Sequence, residues 1–160
     1  MTDAERIKST YYNDVQALSV LYKERIKRKA NYQDIPTLLD YQDVLVDIGH
    51  KLIKLKYLAR ELNAYYDNLA TSEYTNAMIQ CEIDKKQSTY AKSFANKKAN
   101  TSRVYATEWE INYKKYRDMY EAIRNDQING HSRYKYLSGL SEWVSLSLKS
   151  VERNQLKHMT

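Results

Sequence analysis

Residues 38–69 read LLDYQDVLVDIGHKLIKLKYLARELNAYYDNL, and the spacing of their apolar residues decides the fold class. Apolar side chains recur in alternating steps of three and four, which is the a/d pattern of a heptad. This seam consists of Leu38, Tyr41, Leu45, Ile48, Leu52, Leu55, Ala59, Leu62, Tyr66 and Leu69. A stripe with this period must pack against another helix. The seam therefore predicts either self-association or close packing within the chain.

The composition of the whole chain also favours long helices. Its 160 residues include one proline and three glycines, so few residues can interrupt a helix. The 16 tyrosines fall at helical spacing instead of alternating as they would along strands. The sequence therefore predicts an all-α protein, built as an elongated helical bundle or coiled coil of about four helices. A single domain over residues 1–160 is expected.

Apolar stripes and helix breakers place the four helices, of which the second and third are long. They are expected over about residues 3–30, 37–70, 73–126 and 132–158. Pro36 and Thr37 suit the first turn of the second helix. The fourth helix has its own apolar stripe, formed by Leu137, Leu140, Val144, Leu148 and Val151, with Trp143 and Leu146 widening it.

The two internal helix boundaries rest on different signals. The heptad seam fails at Glu73 and Asn76, so a break is expected near residues 70–72. A continuous helix with a shifted stripe is the alternative. Asn129 and Gly130 form the clearest stop signal in the chain, because both residues favour the left-handed conformation that ends many helices.

The charge pattern singles out one stretch. The chain has a net charge of +6, and residues 85–107 contain six cations and no acid. These cations are Lys85, Lys86, Lys92, Lys97, Lys98 and Arg103. The stretch predicts either a solvated basic face or an electrostatic track for the phosphates of a nucleic acid.

The aromatic and basic side chains of this stretch would separate if it formed one continuous helix. Tyr90, Phe94 and Tyr105 would then lie on one side, with Lys98 on its flank and the other five cations on the opposite side. The aromatic residues are expected to pack against the protein and not to stack on bases. Lys85, Lys92 and Arg103 lie closest to a common line, so they are the expected first contacts to phosphate.

The sequence contains no catalytic or metal-binding motif. His50, His131 and His158 are isolated, and the single Cys81 excludes an intrachain disulfide, which suits a reducing compartment. No apolar run approaches the ~18 residues of a membrane span. We therefore expect a cytoplasmic protein that is not an enzyme and has no metal, no cofactor and no membrane association.

Three stretches resemble the UvsY-type recombination mediators of bacteriophages and related small helical phage proteins. The first is a helix rich in Tyr, Lys and Leu, here Tyr57-Leu58-Ala59-Arg60 through Tyr65-Tyr66. The second is a polar break followed by an alanine- and lysine-rich helix, here Ala91 to Ala99, and the third is the closing stretch LKSVERNQL at residues 148–156. The resemblance implies a homo-oligomer in the host cytoplasm that binds single-stranded DNA and helps to load a recombinase.

Two hypotheses from different functional classes remain open. The first is a non-enzymatic, oligomeric accessory protein that binds single-stranded DNA through the basic helical face. The second is a helical structural or adaptor protein, such as a virion or scaffolding component, that binds other proteins. An oligomer that takes up a single-stranded oligonucleotide would favour the first hypothesis.

Overall fold

The computed structural model describes residues 2–29 and 34–159, which are helical apart from short flanking and connecting residues. Helix α1 spans Asp3–Lys29, α2 spans Ile35–Ile83 and α3 spans Ser88–Met159. The prediction of an all-α protein is confirmed. The prediction of four helices is wrong, because the described part of the chain forms three long ones.

The first predicted break is absent because the stripe of α2 shifts and then continues with small residues. After Tyr66 the buried positions are Ala70, Ala77 and Cys81. The alternative of a continuous helix with a shifted stripe is therefore the one observed. Leu69, which the sequence assigned to the seam, is 37% exposed, since Ala70 takes the buried position.

The second predicted break is also absent, because Gly130 lies inside α3 and does not adopt a positive φ. Gly130 is buried. A Cβ atom built on it would overlap the Gln42 side-chain amide on α2. This glycine therefore makes room for Gln42 and does not end the helix.

A short connection at residues 84–87 joins α2 to α3. The Lys85 N–H donates to the Glu82 carbonyl at 3.1 Å, and the Lys86 N–H donates to the Cys81 carbonyl at 2.9 Å. These two bonds form a Schellman motif, in which one residue adopts the left-handed conformation that glycine favours. That residue is Lys85, with φ 54°. Lys85 and Lys86 therefore lie in a turn, although the predicted third helix included them.

The second helix begins at Ile35, two residues earlier than the sequence suggested, and a reciprocal cap precedes it. The Thr37 N–H donates to Asp34 Oδ1 at 2.9 Å, and the Asp34 N–H donates to Thr37 Oγ1 at 3.3 Å. The hydrogen bonds from the Thr37 hydroxyl and N–H lower the pKa of the Asp34 carboxyl. Asp34 is thus the N-cap, and Pro36 lies within the first turn, where it removes no helical hydrogen bond.

Contacts divide the chain into two units, and all three helices contribute to each. The first unit comprises Met1–Ser19 and His50–Glu121, and the second comprises Val20–Gly49 and Ala122–Thr160. The prediction of a single domain stays a prediction. No helix among the described residues combines the length and apolar character needed to cross a membrane.

The core of the first unit combines the α2 seam with aromatic residues from the other helices. Leu52, Leu55 and Leu62 are fully buried. The Tyr11 ring on α1 packs edge-on against Trp109, with 4.8 Å between ring centroids. Tyr11 Oη lies 2.6 Å from the hydroxyl oxygen of Tyr116, and burial together with this hydrogen bond raises the pKa of Tyr11.

The core of the second unit uses the start of the α2 seam and is closed by arginines of α1. Seam residues Leu38, Tyr41, Leu45 and Ile48 are buried there, together with Ile123 of α3. Arg25 pairs with Asp126 of α3, and its Nε donates to the Tyr41 hydroxyl at 3.4 Å. The Arg28 guanidinium donates to the Asp40 carbonyl at 2.8 Å. The seam is thus covered within the single chain.

Candidate nucleic-acid interface

The six predicted cations all lie in the first unit and are all exposed. Lys85 and Lys86 lie in the α2–α3 turn, and Lys92, Lys97, Lys98 and Arg103 lie on the first turns of α3. Within residues 2–29 and 34–159, none of the six forms a salt bridge with a carboxylate. Their charges are therefore available to an anionic ligand.

Four side chains at successive steps of four residues form what we call the cation–aromatic ladder: Lys86, Tyr90, Phe94 and Lys98. The Tyr90 and Phe94 rings stack with 6.1 Å between centroids and an interplanar angle of 9°. Lys86 Nζ lies 5.6 Å from the Tyr90 centroid, and Lys98 Nζ lies 5.4 Å from the Phe94 centroid. The i, i+4 spacing places Tyr90, Phe94 and Lys98 along one side of α3, and Lys86 reaches the Tyr90 ring from the turn before the helix.

The rings of the ladder face solvent to an extent that the sequence did not predict. Tyr90 is 53% exposed and Phe94 is half-buried. Both were expected to pack, but the buried face of α3 is formed by Ala91, Ala95 and Ala99. Small residues let two helices approach closely, so the larger rings lie beside the contact instead of inside it.

Lys92 and Arg103 lie on another side of α3, where Arg103 is held in place. Its guanidinium donates to Asn96 Oδ1 at 2.8 Å and lies 5.4 Å from the Tyr74 ring centroid on α2. Lys85 does not extend this line, because it belongs to the turn. The predicted trio of Lys85, Lys92 and Arg103 is therefore not a helical row.

A shallow polar depression adjoins these cations on the solvent side of α3. It is lined by Ser93, Asn96, Lys97 and Asn100. Side chains with hydroxyl, amide or ammonium groups commonly contact the phosphates and sugars of nucleic acids. The start of α3 thus offers exposed aromatic faces, cations and neutral hydrogen-bonding groups within a few helical turns.

Sequence reasoning missed the acidic character of the helix beside this surface. Residues 61–84 contain no cation but five acids: Glu61, Asp67, Glu73, Glu82 and Asp84. Within the first unit α2 runs antiparallel to α3, since Ser102 Oγ pairs with Glu73 and the Asn63 amide donates to the Ala106 carbonyl at 2.7 Å. Comparing the charges on the two sides of the turn would have revealed this segregation of acids on α2 and cations on the turn and α3.

Metal binding and cysteine or histidine chemistry have little support in the described residues. No group of three His, Cys, Asp or Glu side chains comes together there as a metal site. Cys81 is buried on α2, as expected for a small packing residue, and His50 and His131 are exposed. His158 lies outside the described side chains. The expectation that the protein is not an enzyme stays a prediction.

Comparisons of the chain with known protein families, with curated proteins and with solved structures gave no match. The likeness to UvsY-type mediators therefore rests on sequence features alone. The geometry of the α3 surface carries the functional argument.

Proposed function

We propose that the protein is a non-enzymatic accessory protein that binds single-stranded DNA along the start of α3. The cation–aromatic ladder is the observation that carries this proposal. Two mutually stacked rings, Tyr90 exposed and Phe94 half-buried, lie between two lysines that pair with no carboxylate in the described chain. Sequence-tolerant single-strand binders combine cations that follow the backbone with aromatic rings on which bases stack.

A single strand fits this surface better than a duplex. Bases in a duplex are already stacked on each other, so a protein ring gains contact only with an unpaired base. The surface lies on the side of one helix, and every base presents a π-face to it. Binding is therefore expected to be independent of sequence and sensitive to salt.

The neighbouring charges direct the strand. Lys97, Asn96 and Asn100 extend the surface on the solvent side of α3, while the acids of residues 61–84 repel phosphate from α2. The strand is thus expected to follow α3 from Lys86 toward Lys98 and to avoid α2.

The biological role that we propose is that of a recombination mediator. It is supported by the sequence likeness to UvsY-type mediators, which implies a homo-oligomer in the cytoplasm and a recombinase as partner. The ladder contributes the strand-binding part of such a role. The partner and the oligomer rest on the likeness and on surfaces outside the ladder.

The ladder gives a first prediction, in which ring and charge contributions separate. Replacing both Tyr90 and Phe94 by Leu should weaken binding to an oligothymidine at least tenfold, because stacking contributes about 1–3 kcal/mol per base. The salt slope should stay unchanged. Each phosphate contact contributes roughly 0.7 to the slope of the log binding constant against log salt concentration. Replacing both Lys86 and Lys98 by Gln should therefore flatten this slope by about 1.4. Fluorescence anisotropy titrations at several salt concentrations measure both quantities.

A control carries changes of the same kinds at exposed residues of the second unit. The variant Tyr136→Leu with Lys135→Gln and Lys149→Gln removes one ring and two charges outside the ladder. It should bind as the unaltered chain does. Equal losses in the control and the ladder variants would contradict a site on α3, and so would failure of the unaltered chain to bind at low salt.

The second candidate function is a helical structural or adaptor protein. It is favoured by a row of exposed apolar side chains on the last part of α3, from Leu140 to Leu156. Such a row is typical of a protein-binding surface. If the unaltered chain fails to bind the oligonucleotide at low salt, this second function becomes the better explanation.

A further inference from the structure

The last part of α3 carries large apolar side chains that the rest of the described chain leaves open to solvent. Their exposed fractions lie between 44% and 66% for Leu140, Trp143, Val144, Leu146, Leu148, Val151 and Leu156. Monomeric proteins expose such residues singly, and a contiguous row of them marks an interaction site. The row follows the fourth stripe that the sequence predicted.

Three residues of this row, Val144, Leu148 and Val151, continue a seam that is covered earlier in the same helix. In the second unit Ile123 and Gly130 are buried and Gln127 is half-buried. Steps of four and three residues carry the seam onward without a shift, through Tyr134, Leu137, Ser141, Val144, Leu148 and Val151. A seam with this period packs on another helix. The partner of the exposed part is therefore a helix too.

The helix that covers the seam ends where the exposure begins. Gln42 of α2 lies against Gly130 of α3, and α2 begins at Ile35, seven residues before Gln42. Because the two helices run antiparallel, Leu137 of α3 lies opposite the start of α2. Beyond that point the seam needs a partner that α2 does not supply.

The charges of this segment argue against a lipid surface or a nucleic acid. Residues 137–156 contain Glu142, Glu152, Lys149 and Arg153, whose charges cancel. Helices that lie on anionic membranes, like surfaces that bind phosphates, are rich in Lys and Arg. A neutral apolar seam fits a helix with the same composition.

We propose that residues 137–156 pair with the same residues of a second copy, as an antiparallel two-helix coiled coil that makes the protein a homodimer. A 20-residue helix is about 30 Å long and provides about three heptads, the length that supports a coiled coil. A two-fold axis near Leu146 places Val144 against Leu148 of the second copy. This isologous contact closes at two chains.

The orientation follows from the position of α1 and α2 in the second unit. In a parallel pair, the earlier part of the second copy's α3 would run along the seam face before residue 134. That space is occupied by the chain's own α1 and α2. In an antiparallel pair with its axis near Leu146, residues 137–155 of the two copies lie opposite each other. This paired segment lies beyond the start of α2 in both copies, so both bundles remain intact.

Sedimentation equilibrium of the full chain, without DNA, tests the dimer. Over about 1–200 μM, the unaltered chain should shift from 19.0 kDa to twice that mass. The variant Val144→Glu with Leu148→Glu should remain at the mass of one chain throughout. Lys149→Glu makes the same change in net charge on the opposite face and should dimerise as the unaltered chain does. Circular dichroism confirms that each variant is helical.

Single cysteines test the orientation on a Cys81→Ser background. A mixture of Val144→Cys and Leu148→Cys chains, oxidised with glutathione disulfide, should give the mixed crosslinked pair in preference to either self-linked pair. Only self-linked products would overturn the antiparallel arrangement. A single-chain mass at every concentration, a mass above two chains, or a dimer that survives both glutamates would overturn the proposal.

Discussion

At the scale of single residues, Asp14 shows how the first unit uses a buried charge. Its carboxylate is only 8% exposed, and it lies 2.9 Å from Lys51 Nζ and 3.0 Å from Lys54 Nζ. Burial alone would raise the pKa of Asp14, but the contacts with the two lysines outweigh burial and lower it. The two ammonium groups are partly exposed, so they anchor α1 to α2 while remaining hydrated.

Replacing Asp14 with Asn should destabilise the protein at neutral pH by about 1.5–3 kcal/mol, the contribution of hydrogen bonds to a charged group. The pKa of Asp14 is lower in the folded than in the unfolded state. The carboxylate therefore stabilises the fold above its unfolded pKa of about 3.9, and this contribution is lost as the pH falls through the folded pKa. Urea denaturation from pH 7 to pH 2 measures the difference.

The exposed pair of Asp118 with Arg117 supplies the control for this measurement. Asp118→Asn should change the free energy of unfolding by less than about 1 kcal/mol, since exposed pairs contribute little. If Asp14→Asn were as destabilising at pH 2 as at pH 7, packing and not charge would explain the effect.

At the scale of helices, the end of α2 is held by an unusual capping residue. Lys85 occupies the left-handed position of the Schellman motif, with φ 54°. A side chain in this conformation costs about 1–2 kcal/mol relative to glycine. The chain keeps a lysine there, at the corner of the candidate interface, which agrees with a role for its charge.

Replacing Lys85 with Gly should therefore raise the free energy of unfolding by about 1 kcal/mol while removing one charge from the interface. Lys92→Gly removes a charge from the regular part of α3 and should lower the free energy of unfolding by about 1 kcal/mol. Thermal and urea unfolding of the two variants measure the contrast. A loss of stability in Lys85→Gly would show that the turn does not strain the lysine.

The helices also show which features the sequence could predict. The heptad seam over residues 38–66 fixed the helical class and the buried side of α2, because apolar spacing is a local property. Gly130 looked like a stop signal because it follows Asn129. Its actual role depends on Gln42, a residue of another helix, which the local sequence does not indicate. The polar residues after Ala70 hid a seam of small side chains, whose burial depends on the close approach of α3.

At the scale of the whole chain, the candidate interface was only partly readable from the sequence. The six cations could be listed from their spacing, but their grouping depends on the turn at residues 84–87. That turn separates Lys85 from α3 and places Lys86 at the start of the ladder. The Tyr90 and Phe94 rings lie beside the buried alanine face of α3 and not inside it, although both rings were expected to pack.

The chain thus carries two different exposed surfaces on α3. One surface, in the first unit, is basic and aromatic, and we assign it to a single strand. The other surface, in the second unit, is apolar and neutral, and we assign it to a second copy. A dimer formed through the second surface would carry two strand-binding sites, which increases avidity for a long strand.

Photocrosslinking shows whether a single strand contacts the cation–aromatic ladder. An oligonucleotide with 5-iodouracil at successive positions is irradiated with the full chain, and the crosslinked peptides are identified by mass spectrometry. Because 5-iodouracil reacts with aromatic rings stacked on it, crosslinks should concentrate on Tyr90 and Phe94 and disappear when both are replaced by Leu. Crosslinks that map mainly to the exposed rings Tyr57, Tyr136 or Trp143, or that persist in the variant, would contradict binding of the strand at the ladder.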